Sequence, residues 1–332
     1  MKDNIKVDFS IIVLNWNSLN YLKDCLDALK NQSYRSFELI CVDNGSTDGS
    51  REWIEKVQLD LFVNSSAKKI LHNKNIGFAA GMNSGIHVAE GKWIIPLNVD
   101  VFLDKDFLKN AAQLFLENND YQMLGAKIYR FDEKQTNEVL CSGVWLTKNF
   151  SISTLLTDAE TEREVFGPAG CCPVFLREAL DDSSIQPDSG KEKQFFDELY
   201  FAYGEDVDIY LRMNLMGFKC LYSPKLFAWH AHSGTQDGVR WHTKDAATLR
   251  RLPANVFYTW LKNCPLGMLI KTSWRVFAAP TAMFLVLLFC RPGVCLAPLM
   301  AYISFLRNFA RTLRIRKYLV SRISKCGIIR EK

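Results

Sequence analysis

Residues 37–45 read FELICVDNG, and residues 9–14 read FSIIVL. Both contain short apolar, β-branched runs, which are typical of strands buried on both faces of a parallel sheet. Apolar residues at helical spacing follow each run. The remaining elements predicted in this half are helix 21–32, helix 50–57, strand 69–72, helix 78–89 and strand 93–97. This alternation predicts a Rossmann-like α/β fold, with a mostly parallel central sheet flanked by helices and ligands at the carboxyl ends of the strands.

The middle of the chain is less regular. Residues 167–176 predict a loop that leads into a strand, and residues 181–193 are polar and are expected to be exposed. Residues 205–216 predict a helix, and residues 218–222 predict a strand. No internal repeat or low-complexity tract is present in the sequence.

The C-terminal third changes in composition. Residues 276–290 and residues 295–306 carry no charge and are separated by Arg291-Pro292-Gly293. Each run is shorter than the roughly 20 residues that a simple bilayer span needs. Together they predict an apolar helical hairpin that is re-entrant or interfacial, or one kinked span. A buried core hairpin or an oligomer contact is the alternative.

Charge is unevenly distributed in this chain of 332 residues. Residues 307–332 hold nine Lys or Arg and one acid, so this tail is +8, and the rest of the chain is −3 within a net charge of +5. A basic tail beside apolar runs favours an anionic membrane surface as partner. No aromatic-interleaved basic face or known module indicates nucleic acid. Residues 1–8 are polar rather than like a secretory signal, so we expect the ten cysteines to be mostly buried, reduced thiols in the cytoplasm.

Polar residues follow the first two predicted strands. Asn15 and Asn17 follow the first strand, and Asp43 and Asn44 follow the second. An acid at the carboxyl end of such a strand accepts hydrogen bonds from a base or a ribose. An ordinary strand-to-helix turn with helix caps explains the same residues without a ligand.

Further candidates lie along the chain. In NIGFAAGMN, Asn75, Gly77 and Asn83 stand among small residues, which permit close helix packing or close approach to a diphosphate. Asn98 and Asp100 follow the strand at 93–97, and their oxygens suit a divalent cation. Neither a GxGxxG fingerprint nor a P-loop occurs in the sequence.

Acids and histidines complete the set. Glu205, Asp206 and Asp208 open a predicted helix, where they act as helix-capping charges or include a general base. His230 and His232 alternate, and one or both could ligate a metal, although a lone histidine is usually structural.

Together these motifs resemble family 2 glycosyltransferases with the GT-A fold, in particular the rhamnosyltransferase-like branch of bacterial surface polysaccharide synthesis. The matching stretches extend from residue 9 to about residue 240, and they are VDNGSTDGS, NIGFAAGMN, LNVD, FDELYFAYGEDVDIYLR with MGFK, and WHAHSGT. The later NVFYTWLKNCP also resembles that branch. The combination is specific for the family and less specific for the sugar.

The resemblance implies a role for each matching residue. The nucleoside would be held by Asn15, Asn17, Asp43 and Asn44. The diphosphate and the donor sugar would be lined by Asn75, Gly77 and Asn83. Asp100 would bind Mg²⁺ or Mn²⁺, with His230 as a second ligand, while Asp206 would be the base and Glu205 would contact the acceptor.

One position departs from the family pattern. The metal motif of the family is often Asp-x-Asp, but its first acid is replaced here by Asn98. An amide oxygen brings no charge, so we expect weaker metal binding, and Asn98 is also a candidate contact for the sugar or the ribose. Many members of the branch share the substitution, so it does not imply inactivity.

The implied reaction is inverting transfer of a sugar to a saccharide hydroxyl. L-rhamnose from dTDP-rhamnose, moved to a lipid-linked saccharide, is the first expectation, and a UDP-hexose or UDP-N-acetylhexosamine is the alternative donor. We expect a catalytic domain over residues 1–245, with the nucleotide sugar bound by residues 1–125 and the acceptor by residues 126–245. Residues 246–332 would form a helical region peripheral or re-entrant at the inner face of the cell membrane.

Three other classes compete with this interpretation. A processive synthase would carry Gln-x-x-Arg-Trp, but the spacing from Gln236 to Arg240-Trp241 is one residue too long. A nucleotidyltransferase would need a glycine-rich, arginine-bearing loop after the first strand, and Asn15-Trp16-Asn17-Ser18 does not provide one. A non-catalytic nucleotide-binding membrane scaffold would not need acidic residues at the site, whereas this sequence has Asp43, Asp100, Glu205 and Asp206. The sequence leaves the oligomeric state open.

Overall fold

The computed structural model describes residues 7–61, 67–148, 150, 152–156, 159–187, 192–231 and 241–325. His232, residues 236–240 and the last seven residues of the basic tail lie outside the described residues. The chain divides into two compact units. Unit 1 comprises residues 1–145, 153–182 and 218–233, and unit 2 comprises residues 146–152, 183–217 and 234–332. The predicted functional boundary at residue 245 stays a prediction.

The described strands, in chain order, are β1 Phe9–Asn15, β2 Phe37–Asp43, β3 Ala67–Leu71, β4 Trp93–Asn98, β5 Val101–Leu103, β6 Met123–Asp132, β7 Lys134–Cys141, β8 Val144–Leu146, β9 Ile152–Thr154, β10 Arg163–Val165, β11 Val174–Leu176 and β12 Cys220–His230. The described α-helices are α1 Leu19–Lys30, α2 Ser50–Lys56, α3 Phe78–Val88, α4 Phe107–Glu117, α5 Arg177–Asp182, α6 Glu205–Leu215, α7 Ala246–Asn263, α8 Leu266–Cys290 and α9 Met300–Lys325.

Unit 1 is built on a ten-stranded sheet. Its main path runs β10-β12-β6-β11-β4-β1-β2-β3, with β5 paired to β12 and β7 paired to β6. The pairs among β4, β1, β2 and β3 are parallel, as is the pair β6–β12, whereas β11 is antiparallel to both of its neighbours. The predicted GT-A-like class, a mixed α/β fold with a mostly parallel central sheet flanked by helices, is confirmed.

Burial explains why the first strands read as uninterrupted apolar runs. Every residue of β1 and of β2 is buried, because helices cover both faces of a parallel sheet. Glycines in α3 let that helix lie close to the sheet. A Cβ at Gly85 would come 2.4 Å from Cγ2 of Ile12, and one at Gly81 would come 2.6 Å from Cδ1 of Leu14. Gly81 of the NIGFAAGMN stretch and Gly85, two residues after that stretch, therefore serve helix packing.

In unit 1, strand β12 is much longer than the sequence predicts. The predicted strand at 218–222 covers only the beginning of Cys220–His230, an 11-residue strand. A register shift between Ser223 and Phe227 interrupts its pairing with β6. Beyond the shift, β12 also pairs with β5, and His230 lies opposite Val101. This long-range pairing brings His230 to the segment that follows β4.

Unit 2 contains helices α6, α7, α8 and α9. Ser183 and Ser184 are fully buried, so the expectation that the polar stretch 181–193 is exposed is wrong for these residues. This segment packs against the buried Arg212, whose guanidinium donates to the carbonyl oxygens of Ser183 and of Phe195.

Charged side chains form a buried cluster in unit 2. The Lys262 ammonium lies 2.6 Å from Asp197 Oδ2 and 2.8 Å from Asp208 Oδ1. Arg212 pairs with Asp208 Oδ2 at 3.1 Å, and Arg311 pairs with Asp197 Oδ1 at 2.7 Å. Although burial opposes ionisation, the charges of Lys262 and Arg311 hold the pKa of Asp197 below its usual value. The cluster joins α6, α7 and α9.

The C-terminal helices differ in character. Helix α8 begins ten residues before the predicted apolar run. In these ten residues, 266–275, the only charged side chains are Lys271 and Arg275. Among the described residues, this helix alone is long and apolar enough to cross a bilayer, by length and composition, and 17% of its most apolar window is buried. The second apolar run divides between a turn and α9, a helix with basic but no acidic residues.

We expect Lys262→Met to destabilise the protein by about 3–5 kcal/mol, because two buried carboxylates would lose their shared cation. Lys271→Met is the matched control, since Lys271 is exposed on α8. Urea unfolding followed by circular dichroism measures both variants. Equal stabilities of the two variants would contradict the structural role of Lys262.

Candidate active site

The first group of polar residues lies in unit 1, where β1 and β2 end. Asn15 and Asp43 are register partners. Asn15 Nδ2 donates to Asp43 Oδ1 at 3.3 Å and to Ser46 Oγ at 3.1 Å, and the Ser46 amide donates to Asp43 Oδ2 at 3.0 Å. Asn15 Oδ1 is buried and has no hydrogen-bond partner among the described residues. The group therefore offers an acceptor to a ligand that donates a hydrogen bond.

Asn17 connects the loops that follow β1 and β2. Its backbone φ is 52°, in the left-handed region that asparagine tolerates better than most residues. Its amide donates to Ser46 Oγ at 3.0 Å, and its side-chain Oδ1 accepts from the Thr47 amide at 2.7 Å. Between Asn15 and Asn17 the indole of Trp16 is 52% exposed. Trp16 was not among the predicted site residues, although an exposed tryptophan beside a candidate nucleoside site is a signal for stacking.

Asn44 is buried and anchors the loop that precedes α3. Its Nδ2 donates to Asn75 Oδ1 at 3.2 Å and to the Gly77 carbonyl at 3.1 Å, and its Oδ1 accepts from the Ile76 amide at 3.0 Å. Gly77 has a φ of 94°, which favours glycine there. Asn83 is buried on α3. These contacts position the loop, and the direct donor contacts expected for Asn44, Asn75, Gly77 and Asn83 stay predictions.

The second group, also in unit 1, joins Asp100 to His230. His230 Nε2 lies 3.2 Å from Asp100 Oδ1. Burial lowers the pKa of His230, whereas the neighbouring Cys171 and the hydrogen bond to Asp100 raise it, and the net direction is upward. A hydrogen bond with Cys172 and burial hold the pKa of Cys171 well above its ordinary value, so Cys171 is a neutral thiol near pH 7. The hydrogen bond to Asp100 is therefore the contact that favours a protonated His230.

This second group fits a divalent cation with few protein ligands. Asp100 supplies a carboxylate, His230 supplies an imidazole once it has lost its proton, and Asn98 Oδ1 is a buried oxygen without a hydrogen-bond partner among the described residues. In the described part of the chain, no three His, Cys, Asp or Glu residues lie together as a metal site. Magnesium commonly binds one or two carboxylates and takes its other ligands from water and phosphate. The residues present fit such a site.

The acids at the start of α6 lie in unit 2 and fall into different environments. Asp208 is buried, accepts from Asn263 Nδ2 at 2.7 Å and pairs with Arg212 and Lys262, so its role is structural. Asp206 is only partly buried, and its Oδ1 accepts from the Val207 amide at 2.8 Å. Glu205 is buried, and its Oε2 has no hydrogen-bond partner among the described residues.

Glu205 and Asp206 differ in protonation. Burial and the negative charge of Asp206 raise the pKa of Glu205 to about 8. Burial also raises the pKa of Asp206, but backbone hydrogen bonds oppose that shift. Near pH 7 the raised pKa favours the neutral form of Glu205, and Asp206 is the more accessible carboxyl of the two. Adjacent carboxyl groups whose environments give them different pKa values can act one as an acid and the other as a base.

The two carboxyls line a cavity of about 300 Å³ within unit 2, which we call the acid cavity. Its walls also include Tyr203, Leu252 and Val256. A cavity of this size is at the lower end of the range of small-molecule sites, about 300–1,000 Å³. It gives a ligand access to the accessible carboxylate Asp206.

Asn255 of α7 holds the loop that leads into α6. Its Nδ2 donates to the carbonyls of Ala202 at 3.0 Å and of Tyr203 at 2.6 Å. That loop is backbone-strained, because Phe201 and Tyr203 have φ values of 58° and 71°. Asn255 lies in the family-like stretch NVFYTWLKNCP but was not among the predicted site residues. Its partners are more than fifty residues distant, so no local pattern reveals this positioning role.

The structure thus distributes the predicted site residues between the units. Those in unit 1 are Asn15, Asn17, Asp43, Asn44, Asn75, Gly77, Asn83, Asn98, Asp100 and His230, and those in unit 2 are Glu205 and Asp206. Within unit 1 the structure joins Asn15 to Asp43, Asn44 to Asn75 and Gly77, and Asp100 to His230.

Comparison with known proteins identifies the family of the chain. Residues 10–183 match the sequence profile of Glycosyl transferase family 2. Glycosyltransferase GlyG of Streptococcus pneumoniae serotype 4 is 30% identical over 129 residues, which are 39% of this chain and 41% of GlyG. The match therefore spans less than half of that relative.

Two solved structures share the fold. S. aureus TarS 1–349 in complex with UDP-GlcNAc has a TM-score of 0.54 and 18% identity, covering 82% of this chain and 73% of that one. GalNAc-T7 with UDP, GalNAc and Mn²⁺ has a TM-score of 0.59 and 14% identity, covering 77% of this chain and 48% of that one. At these identities the likeness shows the fold alone.

Glu205 generates a prediction about pH and stability. Its pKa is raised from 4.5 to about 8 in the folded protein. The folded state then holds a proton that the unfolded state has lost, so the contribution of Glu205 to stability is full below pH about 4.5 and is lost as pH rises through about 8. We expect Glu205→Gln to remove this dependence, so its stability relative to the parent protein should increase across that interval.

Thermal unfolding at a series of pH values from about 4.5 to 8.5 measures this difference. Glu52→Gln, at an exposed position on α2, is the control and should follow the parent curve. Parallel curves for Glu205→Gln and the parent protein would contradict the raised pKa of Glu205.

Proposed function

Since the chain belongs to glycosyltransferase family 2, we propose that it is an inverting enzyme that moves a sugar from a nucleoside diphosphate to a hydroxyl of a saccharide acceptor. Family membership supports glycosyl transfer as the activity. The observation that carries the mechanistic proposal is the carboxyl pair in the acid cavity, where a raised pKa favours neutral Glu205 and Asp206 is accessible. An ionised carboxylate in a cavity can accept the proton of an acceptor hydroxyl.

The hydrogen-bond acceptors at the ends of β1 and β2 support a nucleotide sugar whose base is uracil or thymine. Asn15 Oδ1 is buried without a partner among the described residues, and the Asp43 carboxylate has acceptor capacity beyond the hydrogen bonds from Asn15 and Ser46. Uracil and thymine present an N3–H donor, whereas cytosine presents an acceptor at that position. The indole of Trp16 is exposed for stacking on a base.

This chemistry is common to UDP and dTDP sugars. The TarS structure contains UDP-GlcNAc, which favours a UDP sugar for a chain of the same fold. The rhamnosyltransferase-like sequence motifs favour dTDP-rhamnose. We keep dTDP-rhamnose as the first donor and a UDP-hexose or UDP-N-acetylhexosamine as the alternative.

Asp100 and His230 would hold a Mg²⁺ or Mn²⁺ ion, and the GalNAc-T7 structure with Mn²⁺ supports a divalent cation in this fold. When bound, such an ion neutralises negative charge on a diphosphate leaving group. Asn98 contributes an uncharged amide oxygen, which is consistent with weaker metal binding than a second carboxylate would give.

The chemical step is a single displacement. The acceptor oxygen forms a bond to the anomeric carbon while the bond from that carbon to the diphosphate oxygen breaks. Asp206 takes the proton of the acceptor hydroxyl, and the nucleoside diphosphate leaves with the bonding electrons. One displacement inverts the anomeric configuration and needs no covalent intermediate on the enzyme.

Location at the cytoplasmic face of the membrane belongs to the same proposal. Trp274 and Phe289 on α8 are exposed, and α9 carries basic residues without acidic ones. Exposed apolar area combined with basic charge favours an anionic membrane surface. The acceptor is then a lipid-linked saccharide in the synthesis of a cell-surface polysaccharide such as O-antigen.

We expect Asp206→Asn to lower turnover by about 10²–10⁴-fold while donor affinity is retained, because the variant removes the base and preserves the shape of the side chain. Release of nucleoside diphosphate measures turnover, and calorimetry measures donor affinity. Asp24→Asn, at an exposed position on α1, is the control. Turnover of Asp206→Asn equal to that of the control would refute the assignment of the base, and absence of turnover in the parent protein would favour the non-catalytic scaffold.

A donor panel tests the nucleoside and the metal together. We expect UDP or dTDP sugars to raise the melting temperature more than CDP or GDP sugars do, with about 2.7 kcal/mol of stabilisation at a hundred times Kd. Mn²⁺ should enlarge this rise in the parent protein and less so in Asp100→Asn. The CDP sugar is the matched control, since its ring lacks the N3–H. A preference for GDP or CDP sugars would contradict the proposed role of Asn15 and Asp43.

A further inference from the structure

A second cavity of unit 2, of about 460 Å³, lies between α7 and α8, and we call it the α7–α8 cavity. Its volume falls within the range of about 300–1,000 Å³ that is typical of small-molecule sites. Among its lining residues only Arg275 is charged, and the others are apolar, including Trp241, Leu252, Val256, Ala279 and Met283. An apolar cavity with one cation at its wall suits a ligand with an apolar chain and a single anionic group.

The α7–α8 cavity shares walls with the acid cavity. Leu252 and Val256, one helical turn apart on α7, line both. The two cavities are therefore adjacent, and a ligand that extends past Leu252 and Val256 would have a polar end beside Asp206 and an apolar end beside Met283. This adjacency to the proposed site of chemistry distinguishes the cavity from a general apolar surface.

Helix α8 connects the same cavity to an exposed apolar surface. Arg275 and Ala279 are exposed although they line the cavity, so the cavity is open on this side. Trp274 and Phe277 on the same helix are exposed as well. A chain that enters from a lipid surface meets apolar side chains along its path, and a phosphate at its end meets the guanidinium of Arg275.

We propose that the α7–α8 cavity binds the apolar chain of a lipid-linked acceptor, and that Arg275 pairs with the phosphate that joins the lipid to the saccharide. This inference rests on the proposed function, because it assigns the acceptor of that reaction to a lipid phosphate class. The charge complementarity of Arg275 and the walls shared with the acid cavity carry it.

Binding of dodecyl phosphate to the full chain, below its critical micelle concentration, tests the inference by isothermal titration calorimetry. Each methylene that leaves water contributes about a fourfold change in affinity, so octyl phosphate, which is four methylenes shorter, should bind roughly 250 times more weakly. Dodecanol tests the contribution of the phosphate, and inorganic phosphate tests binding by charge alone.

Two adjacent alanines of α8 provide a matched pair of variants. Ala279 lines the cavity, whereas Ala278 is exposed and is not among its lining residues. We expect Ala279→Trp to fill the opening and weaken dodecyl phosphate binding at least tenfold, while Ala278→Trp binds like the parent protein. Both variants add the same exposed indole, so adsorption of detergent to the surface of α8 affects them equally.

Arg275→Gln tests the phosphate contact separately. Because Arg275 is exposed, we expect this variant to fold like the parent protein and to lose about tenfold in affinity for dodecyl phosphate, with no loss for dodecanol. The inference is overturned if Ala279→Trp and Ala278→Trp bind equally, if octyl and dodecyl phosphate bind equally, or if inorganic phosphate alone reproduces the binding.

Failure of this inference is distinguishable from failure of the proposed function. The calorimetric measurement requires no nucleotide sugar and no turnover. A parent protein that turns over the donor but gives equal affinities for the alanine pair contradicts the lipid site alone. A parent protein that binds dodecyl phosphate in the cavity but neither binds nor turns over any nucleotide sugar contradicts the proposed function and, with it, the identification of the lipid as an acceptor.

Discussion

The ammonium of Lys262, buried between Asp197 and Asp208, is the interaction on which the arrangement of unit 2 depends. An isolated charge in this position would be strongly unfavourable, so each member of the cluster requires the others. Asp208 belongs to α6 and Lys262 to α7, so the ion pair fixes the helix that begins with Glu205 against the helix that carries Asn255. The acid cavity exists because these two helices are held together.

Three acids in the first turn of α6 have different environments, and only Asp208 belongs to the buried cluster. Asp208 is neutralised by cations, Glu205 keeps its proton because it is buried beside another carboxyl, and Asp206 retains an accessible carboxylate. A single first turn of a helix therefore contains a structural anion, a neutral acid and a candidate base. In unit 1 a comparable division exists, where Asn44 anchors a loop while Asn15 leaves an acceptor unused.

Much of the fold was predictable because its signals are local. The apolar runs of β1, β2 and β4 and the helical spacing of α1 and α3 are properties of neighbouring residues, and the predicted class is confirmed. The antiparallel direction of β11 within the parallel sheet and the full length of β12 were not predicted, since both depend on pairing with distant segments. For the same reason the burial of the serines after α5 was missed.

By itself the sequence determined the family, the alternation of strands and helices, and the identity of the chemistry-bearing residues, because these are recorded in residue types and spacing. Only the tertiary structure decided which of those residues meet. It paired His230 with Asp100 across β12 and β5, and it placed Leu252 and Val256 in the walls of two cavities. Burial, charge pairing and cavity walls arise from segments far apart in the chain, so no local pattern contains them.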